Sequence, residues 1–213
     1  MAIAHDSTTT VQTNATSPLT FSHTCTGSDL VLFVTSVSNT SETTTGVTYN
    51  GVAMTKVGEV TDTNGPTQYL WVLFSPSTGA NDVVVTNSGG VMAGGAASYT
   101  GVDQGGLDAS SNVVRDATTT SFAASLSTVV EDCWVICTSR TGGGLALTAG
   151  ANTVMRAQPE TTYLGSSAFW DTGAAQGSPG SKTMTVTCTS QFFGGQVMAS
   201  FAPSSFIPRI IMS

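Results

Sequence analysis

The stretch SDLVLFVTS at residues 28–36 decides how the chain is read, because EDCWVICTS at 131–139 repeats its pattern 103 positions later. Each stretch has an acidic residue at its opening, runs through five apolar positions and closes on Thr-Ser. An apolar run of this length, bounded by polar residues, reads as a strand. Further segments of the two halves can be laid on one another in the same order. SPLTFSHTC is answered by TTTSFAASLST, VAMTKVGEV by NTVMRAQPE, and QYLWVLFSP by TYLGSSAFWD. VVVTNSG is answered by MTVTCTS, and GGVMAGGAASYT by GGQVMASFAPS, with the GG-V-M-A residues nearly identical. The period is close to 100 residues. That is too long for a solenoid repeat of about 20–50 residues and matches a sandwich unit of about 100.

Composition agrees. The chain has 213 residues with 23 Gly, many Thr and Ser, and only 9% charged residues. Thr, Val and aromatic residues suit pleated, half-buried positions, and helix formers such as Glu and Lys are scarce. The expected fold is all-β: two tandem, internally duplicated antiparallel β-sandwich lobes of jelly-roll or Ig-like type. The expected organisation is a polar N-terminal arm at 1–16, lobe 1 at 17–104, a connector at 105–116, lobe 2 at 117–203 and an apolar C-terminal tail at 204–213. A single larger jelly roll with interleaved copies is the alternative. Asn50-Gly51 marks a type I′ hairpin turn, and Asp62–Gly65 a second turn. YLWVLF, apolar on both faces, is expected to be a central strand.

A net charge of −7, with only six scattered Lys and Arg, argues against nucleic-acid binding, which needs clustered cations to displace counterions from phosphates. The N-terminus lacks the basic and apolar regions of a signal peptide, and no apolar run approaches the ~20 residues of a membrane helix. Cytosolic synthesis without membrane insertion is therefore expected, with a secreted location as the alternative. Cys133 and Cys137, four apart on one strand, stand roughly 13 Å apart at ~3.3 Å per residue. A disulfide needs Cα atoms within about 7 Å. Buried thiols are expected, with Cys188 beside one of them on a neighbouring strand.

Chemistry-bearing patterns are sparse. His23 and Cys25 share a strand face without an orienting third group, and His23 reads as a surface residue. The acidic residues lie mostly at expected turns or strand ends, where solvation places them. Gly-rich stretches lack the lysine and helix of a phosphate loop. No metal, cofactor or catalytic residue is expected. Trp71 and Trp134 read as core, whereas Trp170, beside a long loop, reads as a surface residue able to stack on a glycan. In the C-terminal tail Phe206, Ile207, Ile210, Ile211 and Met212 are too apolar to remain in water. Burying one such side chain is worth about 1.5–3 kcal/mol, so the tail is expected to dock, either on its own body or on a neighbouring subunit.

The succession TFSHT, GSDLVLFV, VTYNGVAMTKVG, YLWVLFSPSTGANDVVVT and GAASYTGVDQ resembles a two-lobed β-sandwich family found in tailed-phage structural proteins and some bacterial secreted proteins. The resemblance weakens in the second half, where FAPSS stands in place of SYTGVDQ. It implies a non-enzymatic virion protein, a capsid decoration or cement-type protein, with a tail or fibre component as the nearest variant. The implied partners are other virion proteins and copies of itself. A secreted adhesin or carbohydrate-binding module is the other reading.

Overall fold

The computed structural model describes residues 1–39, 41–61, 65–141, 146–160 and 166–205. The described residues contain fifteen strands and no helix. In chain order they are β1 (Ala4–Thr16), β2 (Leu19–Cys25), β3 (Val31–Ser38), β4 (Thr44–Tyr49), β5 (Val52–Ala53), β6 (Thr55–Thr61), β7 (Thr67–Phe74) and β8 (Gly79–Asn87). They continue as β9 (Val91–Thr100), β10 (Ala109–Thr128), β11 (Trp134–Thr141), β12 (Leu147–Ala149), β13 (Val154–Glu160), β14 (Ser166–Asp171) and β15 (Gly180–Phe201).

The strands form antiparallel sheets. One has the order β1-β9-β3-β7-β6 and a smaller one the order β2-β8-β4-β5. The third runs β10-β15-β11-β14-β13, with β12 paired to β15. The order of the first sheet thus recurs in the third, with β10 in the place of β1 and β15 in the place of β9. The far halves of β10 and β15, together with β12, occupy the places of β2, β8 and β4. In the first half Pro18, which has no amide hydrogen to give to a ladder, separates β1 from β2. In the second half the chain runs through, and register shifts near Arg115–Ser121 mark the bend instead. Extra residues of this kind kink a strand and let it pass from one face to another.

Side-chain alternation on these strands builds three large cores, beside the small buried pair Val37 and Ala93. Leu32 and Val34 of β3 point into a core that draws only on the first half, together with Tyr69 and Trp71 of β7. Val135 and Cys137 of β11 point into a core that draws only on the second half, with Trp170, Met184 and Met198. The opposite faces of the same strands, Val31 and Phe33 on β3 and Trp134 and Ile136 on β11, meet in a third core shared by both halves. All eight residues of β3 and all eight of β11 are buried, which is why the five central positions of each opening stretch are apolar. Residues of the two halves of the chain therefore meet in a common core. β1 lies against β13, and β10 against β6.

At the centre of this seam Thr35 Oγ1 and Thr138 Oγ1 stand 2.7 Å apart. These are the penultimate residues of SDLVLFVTS and EDCWVICTS, so the two stretches touch at corresponding positions. One hydroxyl donates to the other, and each oxygen also lies 3.3 Å from a neighbouring backbone carbonyl, Thr35 from Tyr69 and Thr138 from Ala168, so the remaining proton has a carbonyl acceptor. Gln68 Nε2 donates to both threonines. Hydroxyls satisfied in this way let Thr35 and Thr138 stand in the core.

Several expectations change. Residues 4–16 are not an arm: they form β1, paired with β9 from Ala4–Thr100 to Thr16–Val91. Much of the expected connector is strand too, since β10 begins at Ala109. The GG-V-M-A match slips by four residues. Ala97-Ser98-Tyr99 stand opposite Phe33, Leu32 and Val31, and Ala199-Ser200-Phe201 stand opposite Ile136, Val135 and Trp134. By strand register it is Ala-Ser-Tyr and Ala-Ser-Phe that take matching positions. The Asn50-Gly51 turn is as read: φ is 48° and 75° at the two positions, and Tyr49 pairs with Val52 across the turn. Most of the Asp62–Gly65 turn lies outside the described residues.

Candidate functional site: a seam groove and two buried polar clusters

Trp170 does not reach the surface. It lies on β14 between β11 and β13, opposite Cys137 and Met155, and is fully buried. Strands on both sides and a core on its face leave no ring face for a sugar, so the glycan-stacking role read from the sequence is withdrawn. Its position next to a loop was misleading because β14 ends one residue later, inside the protein. Phe206, Ile207, Ile210, Ile211 and Met212 lie outside the described residues. Trp71 and Trp134 are core residues as read, 6% and 7% exposed.

An apolar groove of about 660 Å³ opens where the described chain ends. Ile3, Val130, Trp134, Ala174, Ala175 and Pro203 give it apolar walls, Asp132 contributes a carboxylate, and Met1, Ser204 and Ser205 also line it. Its volume falls in the range of about 300–1,000 Å³ typical of binding clefts. Met1 and Val130 are exposed here, as is the adjoining Val129. Trp134 links the groove to the shared core, with its ring edge-on to Tyr99 at 5.7 Å.

Behind Trp134 lies a cluster that joins the two halves. Asp171, fully buried, accepts from Tyr99 Oη at 2.8 Å and from Arg156 Nε at 2.6 Å through Oδ2, and from the Gly173 amide at 2.8 Å through Oδ1. A buried carboxylate with three donors, one of them a guanidinium, is the arrangement that offsets the cost of desolvating it. The His5 ring meets the Tyr99 ring edge-on at 5.6 Å. Burial, and then the Arg156 charge, lower the His5 pKa. Burial, and then the Asp171 carboxylate, push the Tyr99 hydroxyl well above its ordinary value. The corresponding positions of the other half are apolar throughout. Phe201 stands for Tyr99 and Val72 for Asp171 by strand register. Val57, at the irregularity of β6, stands for Arg156 at that of β13. Leu107 precedes Asp108 as His5 precedes Asp6. Val72 and Phe201 belong to the shared core, and Val57 and Leu107 pack against it.

The second cluster surrounds His23. Read as a surface residue, it is in fact 1% exposed, because Leu19, Phe21, His23 and Cys25 all lie on the buried face of β2. Its Nδ1 is 2.9 Å from Thr9 Oγ1 and its Nε2 3.1 Å from Ser98 Oγ. Ser98 Oγ donates to Asp6 Oδ2 at 2.7 Å. Burial lowers the His23 pKa to about 4, against a smaller upward pull from Asp6, so the ring is neutral near pH 7. Burial raises the Cys25 pKa, keeping it a thiol, and the thiolate is the reactive form. Cys133 and Cys137 are pushed up to about 12, chiefly by burial. Cys188 is buried opposite Leu147 of β12.

Asp6 and Asp108 act alike in the two halves. Asp6 takes the Thr26 amide and the Ser98 hydroxyl. Asp108 takes the Val129 and Val130 amides and the Ser200 hydroxyl. Each carboxylate ties the first sheet strand to the loop before β3 or β11. Sequence reasoning missed His5, Asp6, Tyr99, Arg156 and Asp171. Aligning the halves on Ala-Ser-Tyr and Ala-Ser-Phe would have exposed the polar-for-apolar exchanges among them. Among the described residues no group of three or more His, Cys, Asp or Glu is placed to hold a metal. Comparison of the chain with protein-family models, with curated proteins and with solved structures found no match.

Proposed function

We propose that this chain is a non-enzymatic structural protein of a tailed-phage virion, a capsid decoration or cement-type protein made of two copies of one sandwich unit. The doubling is supported by the recurring strand order, by the Thr35–Thr138 contact and by the matched Asp6 and Asp108 bonds. A tail or fibre component is the nearest variant. The observation that carries the reading is the apolar groove lying beside Ser205, where the greasy segment 206–213 begins. A body locked by large cores, with an apolar groove beside the last described residue, is suited to burying surface against neighbours. Many weak contacts of that kind add up through multivalency.

The test is co-sedimentation with particles assembled from the capsid genes of the same genome. Saturable binding at a fixed number of copies per particle supports the proposal, and a full-length chain that stays in the supernatant overturns it.

A further inference from the structure

Resting on that reading, we propose that residues 206–213 of one copy fill the seam groove of a second copy. Three observations point to this occupant. The first is where the chain leaves the body. After β9, residues Gly101–Gly106 run across the seam to Leu107, which packs on the shared core. The corresponding track after β15 is already taken by the chain's own Met1–His5, with the Met1 ammonium donating to the Ser204 carbonyl. The track matching Gly101–Leu107 is therefore already filled on this side of the body. The second is chemical match. The segment FIPRIIMS brings five large apolar side chains to a groove walled by Ile3, Val130, Trp134, Ala174 and Ala175, and its one cation, Arg209, is offered Asp132. The third is reach. Eight extended residues span about 26 Å at ~3.3 Å each, enough to bridge from one copy into another.

The contact is heterologous, since each copy presents a segment and offers a groove. It produces a ring or a reciprocal pair if it closes and a filament if it does not. Closure suits a protein arranged around a symmetric shell.

The experiment uses full-length protein, a Δ206–213 chain and Ala175→Trp, which fills the groove of an otherwise complete chain at an exposed position. Light scattering across a concentration series should show the full-length protein associating and both variants monomeric. Mixing the variants should restore a one-to-one pair, because one keeps the groove and the other the segment. A synthetic peptide of residues 206–213 should bind the Δ206–213 chain and change its Trp134 fluorescence, and this tests the groove even if Ala175→Trp does not fold. If the full-length protein stays monomeric while the peptide binds only the truncated chain, the segment fills its own groove and the proposal is overturned. Failure of the peptide to bind overturns it as well. No particles are needed here, so failure of this contact and failure of virion binding are read separately.

Discussion

Tyr99, Asp171 and Arg156 occupy positions whose counterparts are Phe201, Val72 and Val57, and the comparison suggests a replacement already tested by the fold itself. Removing one member of a buried ion pair strands the other, at about 3–5 kcal/mol, whereas replacing the whole set with fitted apolar groups is often neutral or stabilising. Arg156→Val alone should therefore lower the stability of the protein by about 3 kcal/mol. The triple variant Tyr99→Phe, Asp171→Val, Arg156→Val should recover most of that loss, as measured by urea denaturation. Equal or greater loss in the triple variant would show that the apolar side is not an adequate template. His23 sets a pH dependence. Its folded pKa of about 4 lies below the ordinary 6.5, so the unfolded chain takes up the proton first. Stability is complete above pH 6.5 and falls as pH drops toward 4, where the folded ring also protonates. The full loss is on the order of 3 kcal/mol. His23→Gln should flatten this limb of the stability–pH curve, while the contribution of Asp6 remains at lower pH. Hydrogen bonds from Ser98 and Thr26 outweigh burial and hold the Asp6 pKa below 3.8.

At the scale of elements, the first part of the loop between β10 and β11 is held by one carboxylate, while the Asp132 amide donates to the Gly177 carbonyl further on. Asp108 accepts from the amides of Val129 and Val130, and those two residues stand exposed at the groove. Asp108→Ala leaves two amides and the Ser200 hydroxyl without this acceptor, and should cost about 1–3 kcal/mol. Amide exchange at 129 and 130 should speed up well before exchange in β11 does, and unchanged exchange there would show that the loop is held by other contacts. The strands themselves were largely legible in the sequence. Apolar runs and turn residues located β2, β3, β4, β7, β8, β9 and β11, because a strand's alternation is local. β1 was not legible, since HDSTTTVQT carries no apolar alternation. Its place depends on hydrogen bonds to β9 that the sequence of β1 does not encode. Nor was the continuity of β10 and β15, which run through register shifts within one sheet, because bends in a strand leave little mark on its pattern.

The whole molecule depends on the core shared by its halves. Residues 1–104 alone would expose Val31, Phe33, Leu70, Val72 and Tyr99, all at most 4% exposed in the intact chain. Each such side chain contributes about 1.5–3 kcal/mol when buried, so neither half should be stable alone. Expressed separately, 1–104 and 105–213 should be insoluble or partly unfolded, whereas co-expression should yield a soluble one-to-one complex. A well-folded isolated first half, judged by dispersed amide resonances, would contradict this.

By itself, the sequence determined the all-β class, the two matching stretches, the Asn50-Gly51 turn and the burial of Trp71 and Trp134. All of these follow from short-range periodicity and turn chemistry. Only the tertiary structure decided that the second faces of β3 and β11 meet each other, that His23 and Trp170 point inward, and that Asp171 finds Arg156 and Tyr99. The physical reason is that a continuous apolar run states only that both faces of a strand are covered. Which surface covers each face depends on contacts between residues about 100 positions apart, and the pattern within a strand carries no record of them.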